Sequence, residues 1–240
     1  MDMLLRLAKA IPADGMTPLS SGERYAAVTF DDGYQSVLQN AVPELEVRKI
    51  PATIFVIAGI IGRSPGWEGY LENTMTLAQL KELPSDLITL GSHTITHPAL
   101  PSIPEVKAKS ELADSRTKLQ ELLGRKIELF SFPYGAFEEK MIGWCKEAGY
   151  ERVFTTLPYW AFGDGNEFVT GRVSVEPADW PVEGLLMHAA GQGEKGFRVV
   201  DVWTSQEAFQ RFGEKLTPIM QAVGVEGPPE IYPAHAFVSA

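Results

Sequence analysis

The chain predicts an α/β fold, a parallel sheet that curls into a distorted or partial (β/α) barrel, followed by a C-terminal α+β appendage. Three observations carry that reading. Short β-branched runs alternate with helical patterns, which is the signature of βα units. Several of these runs stop abruptly at polar residues able to do chemistry, as strands do at the rim of a parallel sheet. Five to six such units fit before residue 180, short of the eight of a full barrel.

Residues 17–24 are turn-rich and lead into a strand over 25–30 that ends in Asp31-Asp32-Gly33. Residues 34–48 have helical spacing, with Val37, Val42 and Leu45 on one side. Residues 52–57 form a β-branched strand buried on both faces. Thr76 opens a short helix through Leu83, and residues 86–91 make the third strand. Pro104 begins a long helix with Ala108, Leu112, Leu119, Leu122 and Leu123 at three-four spacing, stopped by Gly124. The fourth strand covers 127–132, a helix over 136–148 closes at Gly149, and residues 152–155 and 172–175 read as further strands.

After residue 176 the pattern changes. Residues 184–188 and 197–203 read as strands joined by a turn at Gly191-Gln192-Gly193. Thr204 and Glu207 form a capping box for a helix carrying Phe209, Phe212, Leu216 and Met220, kinked at Pro218. An edge strand follows over 231–238, interrupted by Pro233. The expected division is a domain over 1–180 and a segment over 181–240.

A chain of 240 residues buries ~70% of its unfolded surface and needs no disulfide. Its formal charge of −10 argues against nucleic acid or anionic lipid as the main partner, because both demand clustered Lys and Arg. The one cysteine, Cys145, sits in a helical apolar pattern and reads as an inert core thiol. No segment reaches the ~20 apolar residues of a membrane span. Arg6 and Lys9 break the N-terminal apolar run, so it lacks the core of a signal peptide. The expected location is cytoplasmic for the chain as given, and extracellular or periplasmic if an upstream leader has been removed.

Two clusters point to chemistry. Asp31 and Asp32 would diverge in a regular strand, but at a strand end before Gly33 the backbone can turn and bring both carboxylates together. A plain strand-end turn is the other reading of Asp-Gly. His93 and His97 are too far apart to share a metal in an extended chain and close enough in a helical turn, which Pro98 would limit to one. Capping or core histidines are the alternatives. Both clusters follow strands, and two imidazoles with one carboxylate make a zinc-type set with open positions. The second carboxylate is then free to act as a base, which is a hydrolase arrangement.

With Phe130-Ser131-Phe132-Pro133-Tyr134-Gly135 after the fourth strand, these motifs resemble the polysaccharide deacetylase family, the NodB-homology or carbohydrate esterase 4 group. The matching pieces are residues 29–33, Gly-Ser-His-Thr-Ile-Thr-His at 91–97 and Phe-Pro-Tyr-Gly at 132–135, in the family's order, and the helix from Glu111-Leu112 to Gly124 also looks like the family's segment at that point. The resemblance implies a NodB-type barrel and removal of acetyl groups from N-acetylated or O-acetylated sugars, oligosaccharides or polysaccharides. It implies one divalent ion, zinc first and cobalt, nickel or manganese also accommodated. Asp32, His93 and His97 would hold the ion, Asp31 would be the general base, and the Tyr134 N–H beside Pro133 would hold the oxyanion. The family's later histidine, in a Leu-x-His strand, corresponds to His188 as the acid for the leaving amine.

The chain departs from the family in three places. Ser131 stands where the family often has an arginine that orients the base; Arg172 is a candidate to replace it in part, with a surface or packing arginine as the favoured reading. Glu176 opens the element that ends in Asp179-Trp180. Leu186-Met187-His188 follows Trp180 without the usual intervening helix. Residues 181–240 also resemble part of a ferredoxin-like dimeric α+β-barrel module, which offers a route to a homodimer and would make His188 part of a separate module. Tyr159, Trp160 and Trp180 are candidates to line a sugar groove, and His235 reads as structural. The competing functions are a metal-dependent amidase on a non-sugar amide and a degenerate, glycan-binding deacetylase fold.

Overall fold

Six strands pair in chain order into one wholly parallel sheet: β3 (Val28–Phe30), β4 (Ala52–Val56), β5 (Ile88–Ser92), β6 (Leu129–Ser131), β7 (Arg152–Phe154) and β8 (Val169–Thr170). Those coordinates come from a computed structural model that describes residues 2–15, 17–67, 72–157, 168–172, 185–193, 196–203, 205–211 and 213. The chain divides into two compact units, Met1–Arg172 and Val173–Ala240, and each is described by itself.

Side-chain alternation gives the first unit two apolar layers. Ala52, Ile54 and Val56 of β4 join the larger core with Leu45, Leu80, Leu112 and Leu119 from the helices. Phe55 points the other way, into a small inner cluster with Ala13, Leu129 and Phe154. The double burial expected for this strand is therefore present at all five residues. Gly91 on β5 is required by that inner layer, since a Cβ there would lie 2.5 Å from the Phe55 ring and 3.0 Å from the Leu129 carbonyl.

The sheet's two ends are β3 and β8. Arg172, two residues past β8, spans them: its Nη1 donates to Thr29 Oγ1 of β3 at 3.1 Å and to Asp31 Oδ1 at 2.8 Å. The sheet thus curls into a half-barrel whose open edges are joined at the rim by one guanidinium.

The expected strand over 25–30 is divided in two. Tyr25–Ala26 (β2) pairs with Lys9–Ala10 (β1), which follows helix α1 (Asp2–Leu7), whereas Val28–Phe30 enters the main sheet. The helical stretch after Gly33 begins as a π turn, Val37–Ala41, before α2 (Val42–Arg48). Pro43 has no N–H to give an i−4 bond, and Val42 N–H instead reaches back five residues to Val37 O. Helix α3 (Leu77–Glu82) has the full capping box, Thr76 with Gln79. Helix α4 (Glu105–Leu123) ends at Gly124 in the left-handed region, as expected. Helix α5 (Glu139–Glu147) starts three residues later than the sequence pattern implies, because Pro133–Gly135 form a 3₁₀ turn and Glu138 stays extended. Cys145 is buried there, and burial pushes its thiol well above the ordinary range.

In the second unit, β9 (Leu185–Gly193) and β10 (Gly196–Trp203) form an antiparallel hairpin. Gly191, Gln192 and Gly193 are strand residues paired with Arg198, Phe197 and Gly196, not the turn that their composition implies. A helical segment over 206–211 follows, with Ser205 Oγ accepting from Ala208 N–H at 3.2 Å. A hairpin and a short helix are common to many α+β folds and do not single out a ferredoxin-like module. Tyr159, Trp160, residues 173–180 with Trp180, Thr204, Phe212, Leu216, Pro218, Met220, His235 and the strand expected over 231–238 lie outside the described residues. Among the described residues no helix is long and apolar enough to cross a membrane.

Candidate active site

Every side chain of the cluster hangs from the C-terminal end of a parallel strand or the loop just beyond it. After β3 the chain makes a γ-turn: Gly33 N–H donates to Asp31 O at 2.9 Å around Asp32, whose φ is +68°. That turn is rare and strained for a residue with a side chain. It rotates Asp32 toward the histidines, so that Asp32 Oδ1 lies 3.5 Å from His93 Nε2 and 3.3 Å from His97 Nε2.

The two histidine nitrogens approach to 3.2 Å, but not through the helical turn expected for residues 93–97. The loop is instead a bend with Thr94 at φ +68° and His97 at φ +59°, locked where Thr94 Oγ1 accepts from His97 N–H at 3.0 Å. Pro98 is compatible with either geometry, and the β-branched Thr94 hid the positive φ from sequence reasoning. Tyr134 completes the rim at φ +59°, inside the Pro133–Gly135 turn, with Pro133 buried. Of the five described non-glycine residues with positive φ, three (Asp32, His97 and Tyr134) line this cleft and Thr94 lies in the histidine loop beneath it. Strain concentrated at one place marks a functional site.

Asp31 is held apart from the metal-type triad by its own partners. Arg172 grips it with a fork, Nη1 to Oδ1 and Nη2 to Oδ2, each 2.8 Å. Ser131 Oγ donates to Oδ2 at 3.3 Å and accepts from Arg172 Nη2 at 2.6 Å. The guanidinium lies 5.4 Å from the Phe55 ring centre and 5.9 Å from that of Phe154, which fixes its plane. Burial pushes the Asp31 carboxyl up, but attraction to His93, the Arg172 fork and the Ser131 hydroxyl outweigh it, so it stays below the usual carboxylate range.

The triad behaves differently. Burial, opposed by His93 and reinforced by the charge of Asp31, pushes Asp32 up to about 6. Burial and the neighbouring His93 push His97 down to about 3, so its ring is neutral at pH 7. His93 Nδ1 sits 2.7 Å from Ser131 O, a geometry in which Nδ1 donates to the carbonyl and Nε2 faces Asp32 and His97. Asp32 Oδ1 is buried with no hydrogen-bond partner among the described residues. One oxygen and two nitrogens within 4.8 Å of one another, one of them orphaned, fit a divalent cation of the zinc class.

A cation-free triad therefore carries a cost that follows pH. A carboxyl whose folded pKa exceeds its unfolded value, ~3.9, withdraws stability as the pH rises through the folded value, here about 6. Asp32→Asn is expected to raise the Tm of metal-free protein at pH 7.5, by roughly 6–12 °C for ~3 kcal/mol, and to leave it unchanged near pH 3.5. Calorimetry at the two pH values checks this.

The cleft has a volume of about 270 Å³ and is lined by Asp31, Asp32, Trp67, His93, His97 and Tyr134. The structure thus brings together Asp31, Asp32, His93, His97 and Tyr134. Arg172 stands behind Asp31, its side chain 14% exposed. His188 lies on β9 opposite Asp201, in the second unit. Sequence reasoning missed Trp67, whose ring centre is 4.6 Å from that of His97, as is that of Tyr134. A tryptophan in a Gly- and Pro-rich loop after a rim strand was the available signal. It also missed the hydroxyl of Ser131 as a partner of Asp31, and Glu111 beneath the histidine loop.

The polysaccharide deacetylase family model matches residues 19–153. The Bacillus subtilis protein YxkH, named as a polysaccharide deacetylase, is 32% identical over 155 residues, covering 65% of this chain and 53% of that protein. A peptidoglycan-N-acetylglucosamine deacetylase of Bacillus cereus is 23% identical over 155 residues, 59% of this chain and 52% of its own. The chain spans about half the length of these curated relatives. Among solved structures, IcaB from Ammonifex degensii superposes with a TM-score of 0.64 at 30% identity, over 75% of this chain and 82% of that one. A de-N-acetylase from Aggregatibacter actinomycetemcomitans, at TM-score 0.60 and 18% identity over 72% of this chain and 80% of that one, shares the fold. With a family match across more than half of its length, on a half-barrel that carries the same rim motifs, the chain belongs to the polysaccharide deacetylase family.

Proposed function

We propose that the protein is a metal-dependent hydrolase that removes acetyl groups from N-acetylated or O-acetylated sugars, with residues 1–180 as the NodB-homology domain that carries the metal ligands and the base. The observation that carries this reading is the pairing of a forked, low-pKa carboxylate, Asp31, with the converging Asp32, His93 and His97 beside it. One divalent ion in that triad would supply Lewis acidity, making a water easier to deprotonate and an acyl carbonyl easier to attack.

The remaining work falls to the chain. Asp31, held ionised and oriented by Arg172 and Ser131, takes the proton of the attacking water. The 3₁₀ turn draws its two hydrogen bonds from Gly135 and Ala136 N–H groups, which leaves the Tyr134 N–H for the developing oxyanion. Trp67 and the 66%-exposed Tyr134 offer aromatic faces to an apolar sugar face. His188 is assigned the proton for the leaving nitrogen, on the family resemblance.

Acetate release from acetylated chitooligosaccharides and from acetylated xylooligosaccharides tests the reading. Zinc-loaded protein is expected to release acetate from one class, and His188→Ala to slow amide cleavage by about 10²-fold. Stoichiometric zinc with no acetate from either class would overturn the sugar assignment. Trp67→Ala is expected to raise KM for the oligosaccharide about tenfold with kcat nearly unchanged, read from initial rates.

A further inference from the structure

The buried face of helix α4 is apolar except at two positions, Glu111 and Ser115, and only Glu111 carries a carboxyl. It is 5% exposed, and burial of such a group demands partners. All of those partners come from the loop between the two histidines. Glu111 Oε2 accepts from Ile95 N–H at 2.8 Å and from Thr96 N–H at 2.9 Å, and Oε1 accepts from Thr96 Oγ1 at 2.6 Å.

The opposite side of the same loop is held by backbone. Ala58 N–H donates to Thr94 O at 2.9 Å and Gly59 N–H to Ile95 O at 2.8 Å. Gly59 has no room for a side chain, since a Cβ would come within 2.2 Å of Ile95 O. The loop is therefore pinned by its carbonyls on one side and by its amides on the other. Thr94 and His97, both at positive φ, flank the amides of Ile95 and Thr96 that Glu111 holds. Such backbone persists only where its surroundings over-determine it. Removing the amide-side pin frees Ile95 and Thr96 to relax and lets His97 swing away from His93 and Asp32.

We propose that Glu111 is the positioning residue that holds the His93–His97 loop in its strained form and so sets the protein's affinity for the divalent ion. This rests on the metal-site reading above. Glutamine at 111 retains the geometry: its oxygen can take both amides while its NH₂ donates to Thr96 Oγ1. Alanine retains none. Ser115, one turn further along the same buried stripe, bonds Ser92 Oγ, Leu112 O and Tyr150 Oη rather than residues 93–97, so it serves as the control for destabilisation alone.

The experiment compares wild type, Glu111→Gln, Glu111→Ala and Ser115→Ala by zinc affinity, measured by chelator competition, and by hydrogen exchange of metal-free protein. Glu111→Ala is expected to weaken zinc binding about 10–100-fold and to lose protection selectively at the Ile95 and Thr96 amides. Glu111→Gln should stay within about threefold, and Ser115→Ala should keep wild-type affinity despite a lower Tm. Wild-type affinity in Glu111→Ala, an equal affinity loss in Ser115→Ala, or unchanged protection at residues 95 and 96 would overturn the proposal. A wild type that binds no zinc would instead sink the metal-site reading and the affinity claim with it, while the exchange data would still decide whether Glu111 holds the loop.

Discussion

Asp31→Asn is expected to lower kcat/KM for an acetylated oligosaccharide by about 10²–10⁴-fold, the usual worth of a positioned general base, while zinc affinity stays near wild type. The two effects separate because Asp31 and Asp32 sit in different environments one residue apart. Asp31 is bound on both oxygens by Arg172 and on one by Ser131, and it faces the triad only at 3.9 Å, from Oδ2 to His93 Nε2. Asp32 has an orphaned oxygen between the two imidazoles. Under the proposed function, two adjacent carboxylates with opposite pKa displacements would divide the labour of base and ligand. Asp32→Asn should show the reverse pattern, losing zinc affinity first. Equal loss of zinc binding in both variants would contradict this division.

Arg172→Met is expected to cost about 10²-fold in kcat/KM at pH 7 through misplacement of Asp31. It should also move the acidic limb of the pH–rate profile to higher pH. The direction follows from the causes of the Asp31 displacement: burial raises its pKa, and the attraction of His93 and the fork lower it, so removal of the fork leaves burial less opposed. The same pair makes a stability contribution that is present above the unfolded carboxylate pKa and lost on acidification through the folded value. The variant lacks it, and its melting curve should therefore fall less on acidification than that of wild type. Arg172→Lys should not rescue the rate, because an ammonium cannot reproduce two parallel hydrogen bonds while spanning Thr29, Asp31 and Ser131. An unmoved acidic limb would show that Arg172 is packing alone.

Much of this was legible in the chain itself. Strands that end at Asp31, His93 and Pro133 place their residues on one rim through the parallel connection of βα units, and the half-barrel follows from the unit count. The rest depends on backbone and long-range contacts that no local pattern encodes. The His93–His97 pair is brought together by left-handed Thr94 and His97, not by the helical turn its spacing implies. Arg172 reaches Asp31 across 141 residues because the sheet curls its ends together. Glu111 was readable as a polar residue on an otherwise apolar helix stripe, but its partners were not, since they lie in a loop 15 and 16 residues earlier. Gly191-Gln192-Gly193 reads as a turn by composition, yet cross-strand pairing with β10 holds it extended.

Under the proposed function, one divalent ion held by Asp32, His93 and His97 makes the site hydrolytic. The most direct test of that reading is a titration of chelator-treated protein with zinc while acetate release from an acetylated oligosaccharide is followed. No release is expected from the stripped protein, with activity that rises linearly to one equivalent and then stays level, and no recovery in His97→Ala. Full activity after chelation, or a rise that continues to two equivalents, would contradict it.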